Sequence, residues 1–167
     1  FCASGGVPPE TCSSCPPDCG PCPPPPAEFS SLTDPSDGLA GRIVVDITNP
    51  LDFATFDSLT VPADSSATAE IASALPESRV LKAFNTTFAA TLAAGTVGPL
   101  TTTVLIAGDD TDAKAALAQV VTDGGLNAIA AGGLRRAREL EAQGFLQITL
   151  AAAEKIAWTG GFGIIAA

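Results

Sequence analysis

Histidine is absent from this 167-residue chain. That removes Ser-His-Asp and Cys-His nucleophilic systems, the HExxH motif and every zinc site with a histidine ligand. Chemistry must come from a cofactor, a carboxylate, Lys/Arg or Cys. The cysteines are Cys2, Cys12, Cys15, Cys19 and Cys22, and the last four read C-x2-C-x3-C-x2-C. Two CxxC pairs offer four thiolates, but structural zinc sites usually separate such pairs by a longer loop. The spacing also departs from the ferredoxin run. A disulfide-stapled segment is expected instead, because a short Pro-rich stretch cannot build an apolar core. A metal site and an unstructured arm are the alternatives. The odd count leaves one thiol over.

The other candidate groups are weaker. Asp109, Asp110 and Asp112 suggest a cation site, but no glycine-spaced calcium loop follows them, so helix capping is expected. Lys82 falls inside a strand pattern and Lys114 at a helix start, and neither has a sequence partner that marks it as catalytic. Arg135, Arg136 and Arg138 form the basic cluster. Arg135–Glu139 is an i,i+4 pair and Arg138–Glu141 an i,i+3 pair, which suit an exposed helix face. Phe53, Phe56, Phe84, Phe88 and Phe145 are core candidates.

The formal net charge is -10, from Lys+Arg 8 against Asp+Glu 18. Such a balance argues against nucleic acid and against an anionic membrane surface, since both need clustered cations. No window reads as a membrane span, and no basic-then-apolar leader is visible within the chain. Residues 1–28 hold all five Cys and most of the Pro. Pro23–Pro26 reads as a stiff polyproline spacer. Residues 29–40 are polar and turn-rich and form the linker, and residues 41–167 form the main domain.

That domain alternates strands and helices. Arg42–Ile47 is a β-branched run stopped by Thr48-Asn49-Pro50. Ser65–Leu75 has helical periodicity. Arg79–Phe84 and Thr102–Ala107 read as further strands. Thr111–Asp123 is a helix capped by Asp110 or Thr111 and stopped by Gly124-Gly125. Asn127–Ala131 is a short strand, and Leu134–Ile156 a long helix with a bend expected near Gly144. The alternation predicts an α/β fold with a parallel sheet and flanking helices. Ligands of such sheets bind beyond the carboxyl ends of the strands. Thr48-Asn49-Pro50, Asn85-Thr86-Thr87 and Gly108-Asp109-Asp110 occupy those ends.

Four segments then become specific: VVDITNPLDF (44–53), VLKAFNTTFAATLAAG (80–95), VLIAGDDTDAKAALAQVV (104–121) and GGLRRARELEAQGFLQITL (132–150). Together they resemble the NADPH-dependent oxidoreductases that reduce the deazaflavin coenzyme F-420, and the oxidoreductase domain of the STEAP metalloreductases. The resemblance implies a Rossmann-like domain that moves hydride between NADP and a deazaflavin or flavin. It also implies a cytoplasmic setting and cofactor contacts at Thr48, Asn49, Pro50, Asn85 and Thr86. Hydride transfer between two ring cofactors needs no protein acid or nucleophile, so no catalytic side chain is assigned. Separately, the stretch PPETCSSCPPDCGPCPPP resembles short Cys-rich modules of secreted bacterial proteins.

Family members open with a strand, a GxGxxG turn and a helix, whose glycines let backbone approach the pyrophosphate. Nothing before Gly41 reads that way. Gly161–Ala166 matches G-x-G-x-x-A formally but follows a helical stretch. The sequence is therefore expected to hold a partial Rossmann-like sheet without its first βαβ unit. Arg42–Ile47 would then be an open apolar edge, prone to pairing into homo-oligomers. Two functional expectations follow. One is a reductase of this family, impaired by the missing loop. The other is a non-catalytic secreted or surface protein with a disulfide-rich arm and a degenerate Rossmann half.

Overall fold

The computed structural model describes residues 38–165. The Cys/Pro segment, its expected disulfides and most of the linker lie outside the described residues. Strand β1 is Ile43–Asp46, helix α1 Ala67–Ala74 and β2 Arg79–Lys82. Next come α2 (Ala89–Ala94) and the short strands β3 (Thr96–Val97) and β4 (Leu100–Thr101). Strand β5 (Thr103–Gly108), α3 (Thr111–Asp123) and β6 (Asn127–Gly132) follow. A single 3-10 turn, Leu134–Arg136, leads into α4, Ala137–Ala152. The class is α/β and Rossmann-like, with helices on both faces of a mostly parallel sheet.

The four-stranded sheet has the order β1-β2-β5-β6. Alternation along its strands separates the two faces. Leu81, Ala83, Val104 and Ile106 point to one side, where Ala113 and Val121 of α3 complete an apolar core with Ile43 and Val45 packed against it. The opposite face, bearing Asp46 and Lys82, meets α1 and α4. Asp110 caps α3 as expected, its Oδ1 accepting from the Ala113 amide at 2.8 Å. Asp109 Oδ1 accepts from the Leu134 amide at 2.8 Å, so it caps the 3-10 turn.

One pairing departs from the parallel expectation. β1 pairs with β2 and β5 with β6 in parallel, but β2 and β5 are antiparallel. The cause lies in the connection. A six-residue helix such as α2 rises only about 9 Å, too little to carry the chain back along the sheet. The β3–β4 hairpin, which no sequence pattern announces, adds a reversal. Thr102 Oγ1 donates to the Thr91 carbonyl at 2.8 Å, which folds the connection over one end of the sheet. β5 therefore starts where β2 ends. Gly108 lies opposite Leu81 at this antiparallel pairing. A Cβ there would overlap the Leu81 side chain and come within 3.2 Å of the Val80 carbonyl.

Other expectations need correction. Of the five phenylalanines, Phe84 is half-buried and packs against the core, whereas Phe53 is exposed and Phe56, Phe88 and Phe145 are half-buried outside it. Phe53 meets Phe56 edge-on at 5.8 Å. The long helix ends at Ala152 rather than Ile156, and its first turn is 3-10. Among the described residues β1 has a single strand neighbour, and Ile43, Val44 and Val45 are half-buried rather than bare.

Candidate functional site

β1 and β2 run in register with a constant offset, Ile43 beside Arg79 and Asp46 beside Lys82. The same offset continues past the strand ends and brings Asn49 to Asn85. Asn49 Nδ2 donates to the Asn85 carbonyl at 3.0 Å, and Asn85 Nδ2 donates to Asn49 Oδ1 at 3.0 Å. Asn85 Nδ2 also donates to the Leu140 carbonyl of α4 at 2.8 Å. Both amide protons of Asn85 are thereby used. Its buried Oδ1 has no hydrogen-bond partner among the described residues.

Helix α4 seals this cross-link from above. A Cβ on Gly144 would overlap Asn49 Oδ1 and lie 2.9 Å from the Asn85 carbonyl. Only a glycine lets the helix approach so closely. Gly144→Ala is expected to cost about 1–3 kcal/mol, the usual range for overpacking a tight contact. A thermal melt checks it, and an unchanged midpoint would show that the two asparagines yield freely.

The turn after β1 is held from below. The Thr48 amide donates to Asp46 Oδ1 at 2.8 Å, and the Thr48 carbonyl accepts from Lys82 Nζ at 2.6 Å. The Pro50 carbonyl accepts from the Thr60 amide at 2.7 Å. Thr48 is exposed, Asn49 and Pro50 are half-buried, and Asn85 and Thr86 are buried. Phe84 has φ 65, left-handed backbone that a bulky residue rarely adopts. That kink turns the chain at the end of β2 and aims Asn85 toward Asn49.

Beneath the turn lies a charged cluster with no solvent contact to speak of. Lys82 Nζ bonds Asp46 Oδ2 at 2.9 Å and Glu141 Oε1 at 3.1 Å, with side-chain exposures of 0% and 1%. Thr68 Oγ1 donates to Asp46 Oδ2 at 2.7 Å. Glu141 also accepts from the Ala67 and Thr68 amides at the start of α1, at 3.0 and 3.2 Å. Burial pushes the Asp46 carboxyl up, but hydrogen bonds from Lys82, Thr68 and Thr48 outweigh it and hold it below its ordinary value.

Glu141 does not lie on an exposed face paired with Arg138. It is buried instead, on the stripe Ala137, Leu140, Glu141, Gly144, Gln147 and Ala151. That spacing was the available signal, since a carboxylate on the inward stripe of a helix requires a buried cation. Arg136, not Arg135, pairs with Glu139, at 3.4 Å on the surface. Thr48, Asn49, Pro50, Asn85 and Thr86 all come to one end of the sheet. The Gly108-Asp109-Asp110 turn does not. Because β5 is antiparallel to β2, that turn lies at the start of β2, where Asp110 faces Arg79 at 3.9 Å.

Against known proteins, the chain is similar to a solved structure from Arthrobacter sp. FB24 described as an F420-dependent NADP reductase. The two share 31% identity with a TM-score of 0.70, over 79% of this chain and 61% of that one. The resemblance to the NADPH-dependent F-420 reductase family holds in three dimensions. Metalloreductase STEAP3 of Rattus norvegicus is 35% identical over 114 residues, which are 68% of this chain and 22% of that protein. A hypothetical protein from Sinorhizobium meliloti has a TM-score of 0.50 at 30% identity, over 55% of this chain and 45% of that one. No protein-family model matches the chain. The chain thus spans about a fifth of the curated relative and about three-fifths of the reductase. The similarity is to NADP-dependent oxidoreductases. No described helix is long and apolar enough to cross a membrane.

Proposed function

We propose that this chain carries the nicotinamide side of an NADPH-dependent reductase of the F-420 type. The observation that carries the reading is the Asn49–Asn85 cross-link, which sets the DITNP and KAFNT turns side by side at one end of the sheet. NADPH would supply the hydride, and a deazaflavin or flavin ring would accept it. The chain's part is to hold a ring face against the Thr48–Pro50 turn. Thr48 and Pro50 offer that face. Asn49 keeps one amide proton for a carboxamide oxygen, while Asn85 fixes Asn49 rather than touching the ring through its own donors. Thr86 lies buried behind them.

The phosphate side fits poorly. In doubly wound folds the pyrophosphate sits at the N-terminus of the helix that follows the glycine loop, and α1, which follows no such loop, could only stand in for it. Here the first amides of α1 already bond Glu141, and the Ala69 amide bonds Ser66 Oγ at 3.1 Å. No GxGxxG turn stands ahead of β1 in the 167 residues. Binding is therefore expected to be weak and turnover by these residues alone impaired. An NMR titration with NADP tests this. Shifts should concentrate at Thr48, Asn49 and Asn85, with a dissociation constant no tighter than about millimolar, near -4 kcal/mol. Micromolar binding, or shifts centred elsewhere, would refute it.

A second reading rests on the five cysteines within residues 1–22. In an oxidising compartment they would form a stapled arm on a non-catalytic exported protein. A thiol titration of the denatured native protein separates the two. Five free thiols support the reductase, whereas a single free thiol supports export.

A further inference from the structure

We infer that the buried Asp46–Lys82–Glu141 triad is the positioning element of the strand-end site, with Lys82 at its centre. The inference rests on the cofactor reading above for what the turn faces, but its geometry stands without a cofactor. A lysine ammonium has three protons. Lys82 gives all three to acceptors: Asp46 at 2.9 Å, Glu141 at 3.1 Å and the Thr48 carbonyl at 2.6 Å. None is left for a reacting group, so Lys82 is not a catalytic residue.

Stability does not account for such a cluster. Replacing buried ion pairs by well-packed apolar residues is often neutral or favourable. What the triad provides is fixed backbone. Both backbone polar groups of Thr48 are bonded to it, the amide to Asp46 and the carbonyl to Lys82. The excess negative charge of two carboxylates over one ammonium is met by the N-terminus of α1, through the Ala67 and Thr68 amides. Glu141 lies on α4 one residue after Leu140, whose carbonyl orients Asn85. One helix therefore sets both turns, Thr48 through the triad and Asn85 directly. Any displacement of α4 would be transmitted to the surface that meets the ring.

The test uses the full chain without cofactor and compares it with the triple variant D46L/K82M/E141M. The variant is expected to fold. Its Leu51 amide, bonded to the Asn49 carbonyl, should exchange about tenfold or more faster by local opening, while β5–β6 amides keep their protection. The Asn49 and Asn85 side-chain amide signals should shift together. A folded variant with unchanged exchange and unchanged side-chain signals overturns the inference. Should the variant not fold, the unmutated chain still decides. Its Lys82 ammonium should exchange slowly and show a coupling across the hydrogen bond to the Thr48 carbonyl carbon, whereas a freely exchanging, uncoupled ammonium overturns the inference. Adding NADP to the unmutated chain separates the two ideas. Absence of shifts at Thr48 and Asn49 would sink the cofactor reading and leave the positioning role to the exchange data.

Discussion

Lys82→Met alone is expected to lose about 3–5 kcal/mol of folding stability, because it strands buried carboxylates without their cation. Domains of this size hold only about 5–15 kcal/mol in total, so the variant should be largely unfolded or close to it. Urea titration at neutral pH measures the loss. The pH dependence gives an independent check. In the unmutated chain the folded Asp46 carboxyl lies below its unfolded value. Its contribution is present above the unfolded value of about 3.9 and is lost as pH falls through the folded one. Stability should therefore decline on acidification in that window. With Lys82 gone, burial dominates Asp46 and its folded value should rise above the unfolded one. The slope then reverses, and the variant should gain stability as pH falls from neutrality. A loss below about 1 kcal/mol, with no reversal, would mean that the triad is replaceable by water.

The second large effect concerns affinity. In the strand order 3-2-1-4-5-6 the fourth strand lies beside the first, the strand that leads into the glycine loop. If β1 holds the fourth place, its open side among the described residues is where that first strand would lie. Fusing a strand–GxGxxG–helix unit ahead of Gly41 should fill that side. NADPH binding should then tighten from about millimolar to about micromolar, a gain of about 4 kcal/mol. Isothermal titration reads it directly. The same strand would cover the edge through which copies of the chain are expected to pair, so sedimentation should shift toward monomer. A folded fusion with unchanged affinity would show that the missing glycine loop is not what limits binding.

Much of this was legible in the residues. Helix α3 matches its expected bounds because a capping aspartate and a Gly-Gly stop frame it. β1 and β2 follow their β-branched runs to within a residue or two. The candidate site residues stand in DITNP and KAFNT, two turns that the structure brings together. Less obvious was that these motifs align: Asp46 precedes Asn49 by the same step as Lys82 precedes Asn85, so one strand register makes an ion pair and an amide pair together. Local periodicity does not report register between strands, and so the partner of Lys82 stayed hidden. The antiparallel β5 was hidden for a related reason. Strand direction depends on the path of the connection, and the hairpin strands Thr96–Val97 and Leu100–Thr101 are too short to carry a pattern of their own.

The antiparallel seam between β2 and β5 has a consequence for how the chain can be divided. On either side of it stands a complete strand–helix–strand unit with parallel strands, β1–α1–β2 and β5–α3–β6. Few backbone hydrogen bonds join the two units directly, since only Leu81–Gly108 and Lys82–Ala107 are in register across the seam. A break in the Gly98-Pro99 turn would leave each unit whole. The two pieces are thus natural candidates for split-protein reassembly, with α4 of the second piece completing the first through Glu141 and Leu140.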